Sequence, residues 1–96
     1  MRWVWDADKD AANRAKHRLS FATAIRVFDD PLHLSTPDPH PDRDRWQTIG
    51  LVGGVVLLVV HTLPDEVADE DAAVGRIISA RKATAHERRI YEEDEP

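Results

Sequence analysis

Arg45-Trp46-Gln47-Thr48-Ile49-Gly50-Leu51-Val52-Gly53-Gly54-Val55-Val56-Leu57-Leu58-Val59-Val60-His61-Thr62 is the stretch that decides the fold. Two β-rich runs, Arg45 to Leu51 and Val55 to Thr62, meet at a Gly-Gly pair, which reads as a hairpin because a tight two-residue turn needs backbone that only glycine adopts easily. The second run is apolar on both faces, which places it at the centre of a sheet. Arg76 to Ala80 reads as one more strand. Upstream, Pro37, Pro39 and Pro41 cannot pair inside a sheet, so the residues that follow Leu32-His33-Leu34 read as an exposed loop.

Working outward, Arg2 to Trp5 alternates and then meets Asp6, a short strand ended by a helix N-cap. The first helix shows a weak stripe of Asp8, Ala11, Ala12, Ala15 and Leu19. Ser20 caps a second helix, in which Phe21, Ala24, Ile25 and Phe28 recur at helical spacing until Asp29-Asp30-Pro31 stops it. Leu63 to Gly75 reads as an acidic loop. Thr84 and Glu87 are spaced as a capping box for a last helix that runs to about Glu93, with residues 92–96 as an acidic tail. The expected order is β-α-α-β-β-β-β-α, a single α+β domain over residues 1–96 with a mainly antiparallel sheet.

At 96 residues the chain is the size of one domain. Domains this small bury only about 60–65% of their unfolded surface, so a large cofactor pocket is not expected. Cysteine is absent, which removes disulfides, thiolate metal sites and cysteine nucleophiles together. The longest apolar run, Val55 to Val60, is far short of the roughly 20 residues that span a bilayer, and no signal-peptide pattern opens the chain. The expectation is a cytoplasmic protein without a membrane partner.

The formal net charge is −5, which at first argues against a polyanionic partner. Asp65, Glu66, Asp69, Glu70 and Asp71 carry −5 and Glu92, Glu93, Asp94 and Glu95 carry −4, so the remainder of the chain is +4. Arg76, Arg81, Lys82, Arg88 and Arg89 cluster there against Glu87 alone, and an anionic ligand would be drawn to them first.

Other chemistries lack their spacing. The five histidines form no i, i+4 pair, so no metal and no cofactor is expected. There is no Gly-x-Ser-x-Gly elbow, and the Gly53-Gly54 pair leads into a strand where a phosphate loop would lead into a helix. What remains is guanidinium, whose planar fork stays charged and donates paired hydrogen bonds to phosphate. Strict alternation puts Arg76 and Arg81 on opposite faces of their strand unless a bulge re-aims one, and salt bridging to Asp44, Glu87 or the acidic loop is the competing use for them. Asp44-Arg45 stands where the proline-rich loop enters the hairpin and pairs an acid with a cation. A carboxylate there can accept a ribose 2′-hydroxyl proton while an arginine holds the phosphate.

The ordered set Trp5-Asp6, Lys9, Asn13, Lys16-His17, Ser20-Phe21, Val27-Phe28-Asp29-Asp30-Pro31, Arg45-Trp46-x-x-Ile49-Gly50, Arg76-Ile77-Ile78-Ser79-Ala80-Arg81-Lys82-Ala83-Thr84 and Glu87-Arg88-Arg89-x-Tyr91-Glu92 resembles the BrnT toxins from about Trp3 to Glu93. That resemblance implies a RelE-like fold and a ribonuclease toxin that arrests growth, and the expected chemistry is metal-independent attack by the ribose 2′-hydroxyl. It also implies a BrnA-type antitoxin, a ribbon-helix-helix DNA-binding protein, so that DNA is met only through the antitoxin. The ribosome stays open as a further partner. By position it implies Lys16, Asp44, Arg45, Arg76, Arg81 and Tyr91 as site residues. Asp44 replaces the family's usual glutamate and is one methylene shorter. The rival expectation is a weak or inactive toxin homologue that serves as an antitoxin-binding co-repressor.

Overall fold

The computed structural model describes residues 1–39, 44–63 and 72–93. Its elements in chain order are β1 (Arg2–Val4), α1 (Ala7–His17), α2 (Phe21–Ala24) running into a 3-10 segment (Ile25–Asp29), β2 (Leu34–Pro37), β3 (Arg45–Val52), β4 (Val55–Thr62), β5 (Val74–Lys82) and α3 (Ala85–Glu93). The expected α+β architecture is present. One five-stranded sheet has the order β1-β5-β4-β3-β2, with β4 at its centre and only the β1–β5 pair parallel. Gly53 and Gly54 turn the hairpin with φ of 56° and 81°, the left-handed pair that a two-residue turn of matching twist requires.

Local signals set the helix starts. The Asp6 carboxylate accepts from the amides of Asp8 and Lys9, and the Ser20 hydroxyl accepts from Thr23. At α3 the Thr84 amide donates to Glu87 Oε1 (2.8 Å) and the Glu87 amide donates to Thr84 Oγ1 (3.2 Å), the reciprocal capping box.

Four expectations are corrected. The α1 stripe is not the buried face: Asp8, Ala11, Ala12 and Ala15 are exposed, and the buried residue is Asn13. Alanines offer little side chain to bury, whereas Asn13 is held for its hydrogen bonds. The second helix tightens to 3-10 geometry after Ala24, which brings Val27, outside the predicted stripe, to full burial. The proline-rich stretch is not all loop, because Leu34–Pro37 pairs with β3 as an edge strand, where a missing N–H is tolerated. Finally, β5 begins at Val74 and runs to Lys82, so Val74 and Gly75 belong to the sheet and not to the acidic loop. His40, Pro41, the acidic stretch Asp65 to Asp71, and Asp94 and Glu95 lie outside the described residues.

The two faces of the sheet are covered differently. Phe21, Ala24 and Val27 pack on Val52, Leu57, Val59, Ile77 and Ala80, with Trp3, Trp5, Leu19, Ile25 and Phe28 around them. Burying one such side chain contributes about 1.5–3 kcal/mol. The approach is close: a methyl group added at Gly50 would stand 2.9 Å from the Val27 Cβ and carbonyl oxygen. On the other face α3 lays Tyr91 over Ile49 and Leu58, flanked by Val56 and Val60.

Candidate functional site

Strand pairing fixes which side chains share the α3 face. Residues directly opposite in an antiparallel pair point to the same side, so Arg45 with Thr62, Gln47 with Val60, and Ile49 with Leu58 form three successive rows across β3 and β4. On β5 the register shifts between Val60 and His61: Val60 pairs with Ser79 and His61 with Ile77. The extra residue is a bulge, and it changes the outcome of the alternation. Ile77 and Ala80 both belong to the helix-packed core, so Arg76, before Ile77, and Arg81, after Ala80, both face the α3 side. The open alternative in the sequence is thereby decided for a shared face.

The rows run from polar to apolar. The first holds Arg45, Thr62 and Arg76, and the Arg76 amide donates to Thr62 Oγ1 at 3.0 Å. The second holds Gln47, Val60 and Ser79; the third holds Ile49, Leu58 and Arg81. Strand spacing puts the Cα atoms of Arg45 and Arg76 roughly 10 Å apart, a span that two long side chains can close over Thr62, while Arg81 lies about 15 Å along β5 from Arg76. Among the described residues neither Arg45 nor Arg76 has a salt bridge, and Arg45 Nε is buried with no hydrogen-bond partner. Gln47 donates to Asp38 Oδ1 (3.1 Å) and the Asp38 amide donates to the Arg45 carbonyl (3.0 Å), which fixes the β2–β3 end where Arg45 begins. Asp44 is exposed, one residue before β3, so the strand's pleat does not dictate its direction.

The remaining residues implied by the resemblance do not join that row. Arg81 makes a bidentate pair with Glu87, at 2.7 and 3.0 Å. The bond to Arg81 holds the Glu87 carboxyl at about 2, well below its ordinary 4.5, and the Glu87 bond raises the Arg81 guanidinium further. Tyr91 is buried at the hairpin-turn end, where its hydroxyl donates to Asp30 Oδ2 at 2.5 Å. That same carboxylate accepts from the Leu51 and Leu32 amides. Partial burial works to raise the Asp30 carboxyl, but the Tyr91 hydroxyl, the two amides and nearby His33 together leave it lowered. Lys16 is exposed on α1 and lines a cleft with Asn13, Ile78 and Ser79. Among the described residues no three His, Asp or Glu side chains gather as a metal-binding group, and no helix is long and apolar enough to cross a membrane.

Behind the first row sits His61, fully buried against the stacked rings of Trp3 and Phe28, with its own ring edge-on to both at 5.1 Å. The Thr62 carbonyl can only accept, so the 2.8 Å contact makes His61 Nδ1 the donor; Nε2 then accepts from the Thr48 hydroxyl at 2.6 Å, and Ser35 lies 2.7 Å from Thr48. Burial pushes the imidazole below its ordinary value of 6.5, against the opposing pull of the Thr62 carbonyl. An unfolded chain protonates this ring as pH falls through about 6.5 while the folded chain resists, so the stability contribution is complete above that pH and lost below it. Glu87 acts likewise at lower pH: its contribution holds above 4.5 and is lost as pH falls toward about 2. Melting temperatures measured from pH 8 to 3 are therefore expected to decline in two windows. His61→Gln should abolish the first and Glu87→Gln shrink the second, to which the lowered Asp30 carboxyl also contributes; a flat profile from pH 7 to 5 in the unaltered chain would contradict this.

Three contributors escape a reading of the sequence. Asn13 looks like one polar residue in an alanine helix, Asp30 like a helix stop, and Thr62 like the end of an apolar strand. Each acts through a partner more than ten residues away, at Ala80, Tyr91 and Arg76 respectively. Asn13 and Asp30 carry a signal, their places in the ordered set that resembles the BrnT toxins; Thr62 carries none. A family model for the ribonuclease toxin BrnT of type II toxin–antitoxin systems matches residues 5–87. No curated protein matches the chain.

Proposed function

Because the chain belongs to the BrnT family of ribonuclease toxins of type II toxin–antitoxin systems, we propose that it cleaves RNA by metal-independent attack of a ribose 2′-hydroxyl on the adjacent phosphate. The observation that carries this reading is the Arg45–Thr62–Arg76 row, where two cations without counterions among the described residues share one face. The 2′-oxygen bonds to phosphorus and its proton passes to a base, for which Asp44 is the candidate. The bond to the 5′-oxygen breaks, and that oxygen takes a proton, leaving a 2′,3′-cyclic phosphate and a 5′-hydroxyl. Charge on the phosphoryl oxygens grows on the way to the pentacovalent state, and Arg45 and Arg76 stabilise it there. Lys16, beside Ser79 at the outer edge of β5, is the candidate near the leaving oxygen. Arg81 acts through Glu87 by fixing α3, and Tyr91 anchors that helix to Asp30.

The whole chain acts as one cytoplasmic toxin domain that arrests growth until a BrnA-type ribbon-helix-helix antitoxin covers it, with DNA met only through that antitoxin and the ribosome as an optional cofactor of target choice. Purified antitoxin-free protein is expected to cut RNA in EDTA and leave cyclic phosphate ends. Intact RNA with and without ribosomes, from protein shown to be folded, would overturn the nuclease reading. The rival co-repressor reading has one observation in its favour, the neutralisation of Arg81 by Glu87, and such an inactive protein would still bind the antitoxin.

A further inference from the structure

We propose that the Thr62 hydroxyl is a third phosphate-contacting group, set between Arg45 and Arg76 and donating its proton to a phosphoryl oxygen; this rests on the nuclease reading above. A threonine hydroxyl carries one hydrogen and two lone pairs. At Thr62 one lone pair is used by the Arg76 amide at 3.0 Å, and among the described residues the hydroxyl hydrogen has no acceptor. The side chain is half-buried, on the same face as the two arginines, and therefore open to a ligand lying across them.

Thr62 is also fixed from behind. Its carbonyl takes the Nδ1 hydrogen of His61, a side chain with no exposed surface packed edge-on against the stacked Trp3 and Phe28 rings. The neighbouring bulge turns the Arg76 amide onto the Thr62 side chain. The hydroxyl is thus aimed before any ligand arrives, the condition under which a neutral donor stabilises a developing charge most strongly. The ligand class is a phosphodiester whose non-bridging oxygens lie between two guanidinium groups and one hydroxyl. A donor of this kind strengthens as charge on the phosphoryl oxygens rises, so it acts on kcat more than on KM.

The test compares the full chain with Thr62→Val and Thr62→Ser, each checked for the native amide spectrum. RNA cleavage is followed for kcat and KM, and a uridine–vanadate complex, which mimics the pentacovalent phosphorane, is titrated for affinity. Thr62→Val is expected to lose about 10²-fold in kcat, with KM within about threefold and a matching loss of vanadate-complex affinity. Thr62→Ser should recover most of both. Full activity in Thr62→Val, or equal loss in Thr62→Ser, overturns the proposal, because the hydroxyl would then be idle or the methyl group would be what matters. If the unaltered chain fails to cleave RNA, the nuclease reading falls, yet the vanadate titration still decides Thr62: binding lost only in Thr62→Val supports it, and no binding by the unaltered chain overturns it.

Discussion

Alanine at Arg45 or at Arg76 is expected to cut RNA cleavage by about 10²- to 10³-fold, the cost of removing one preorganised charge-stabilising donor. Both cations face the α3 side of the sheet at the end of the hairpin, and neither is neutralised among the described residues. Substitution by lysine should recover little, since a point charge cannot reproduce the two parallel hydrogen bonds of a guanidinium. The contrast with Arg81 makes the expectation specific. Its guanidinium is occupied by Glu87, so Arg81→Ala should act chiefly by loosening α3, and Glu87→Gln should reproduce the effect. Lys16→Ala is expected to cost about tenfold, and Tyr91→Phe to change stability more than turnover. Initial rates on a single RNA substrate, with thermal melts alongside, separate these cases. A Tyr91→Phe or Arg81→Ala loss as large as that at Arg45, in a protein of unchanged stability, would move the site to the other end of the face.

Asn13→Ala is expected to have the largest effect on stability. β1 covers β5 only from Val74 to Arg76, so beyond it the outer edge of β5 would leave backbone groups unpaired against the first helix. Asn13 completes the edge as a strand would: Nδ2 donates to the Ala80 carbonyl at 2.9 Å and Oδ1 accepts from the Ala80 amide at 3.2 Å, while a second Nδ2 hydrogen reaches the Leu19 carbonyl at 2.9 Å. Each buried group left without a partner costs about 1–3 kcal/mol. A total of about 3–5 kcal/mol is a large part of the roughly 5–15 kcal/mol that holds a small domain together, and at about 4–8 °C per kcal/mol the melt should fall by more than ~12 °C. Asn13→Asp should do no better, because a carboxylate keeps the acceptor for the Ala80 amide but presents oxygen to two carbonyls. A loss under about 1 kcal/mol would show that water or a shift of α1 satisfies Ala80 equally well.

Features set by neighbours in the chain were legible in the sequence. The Gly53-Gly54 hairpin, the caps at Asp6 and Ser20 and the Thr84–Glu87 box each need only a few consecutive residues, and all appear where expected. Features set by distant pairing were not. The bulge opposite His61 depends on how β4 and β5 settle against each other, and alternation along β5 alone could offer it only as an exception. The buried face of α1 is not legible as apolar periodicity, because its one buried residue is an asparagine held for its hydrogen bonds. Pro37 suggested a loop because a proline forbids a central strand, although an edge strand accepts it. The site divided in the same way. Arg45, Arg76 and Arg81 are candidates by residue type and position, with Glu87 among the salt-bridge partners the sequence offers, whereas which arginine Glu87 takes and which two share a row follow from register and a capping box acting together.

The most direct test of the account follows the arginine Nε–Hε resonances of the full chain as a short RNA, 2′-O-methylated to prevent cleavage, is added. The Arg45 and Arg76 signals are expected to shift together and saturate at one RNA concentration, with Arg81 held nearly in place by Glu87. Shifts confined to Arg81, Arg88 and Arg89, with Arg45 and Arg76 unmoved, would contradict it.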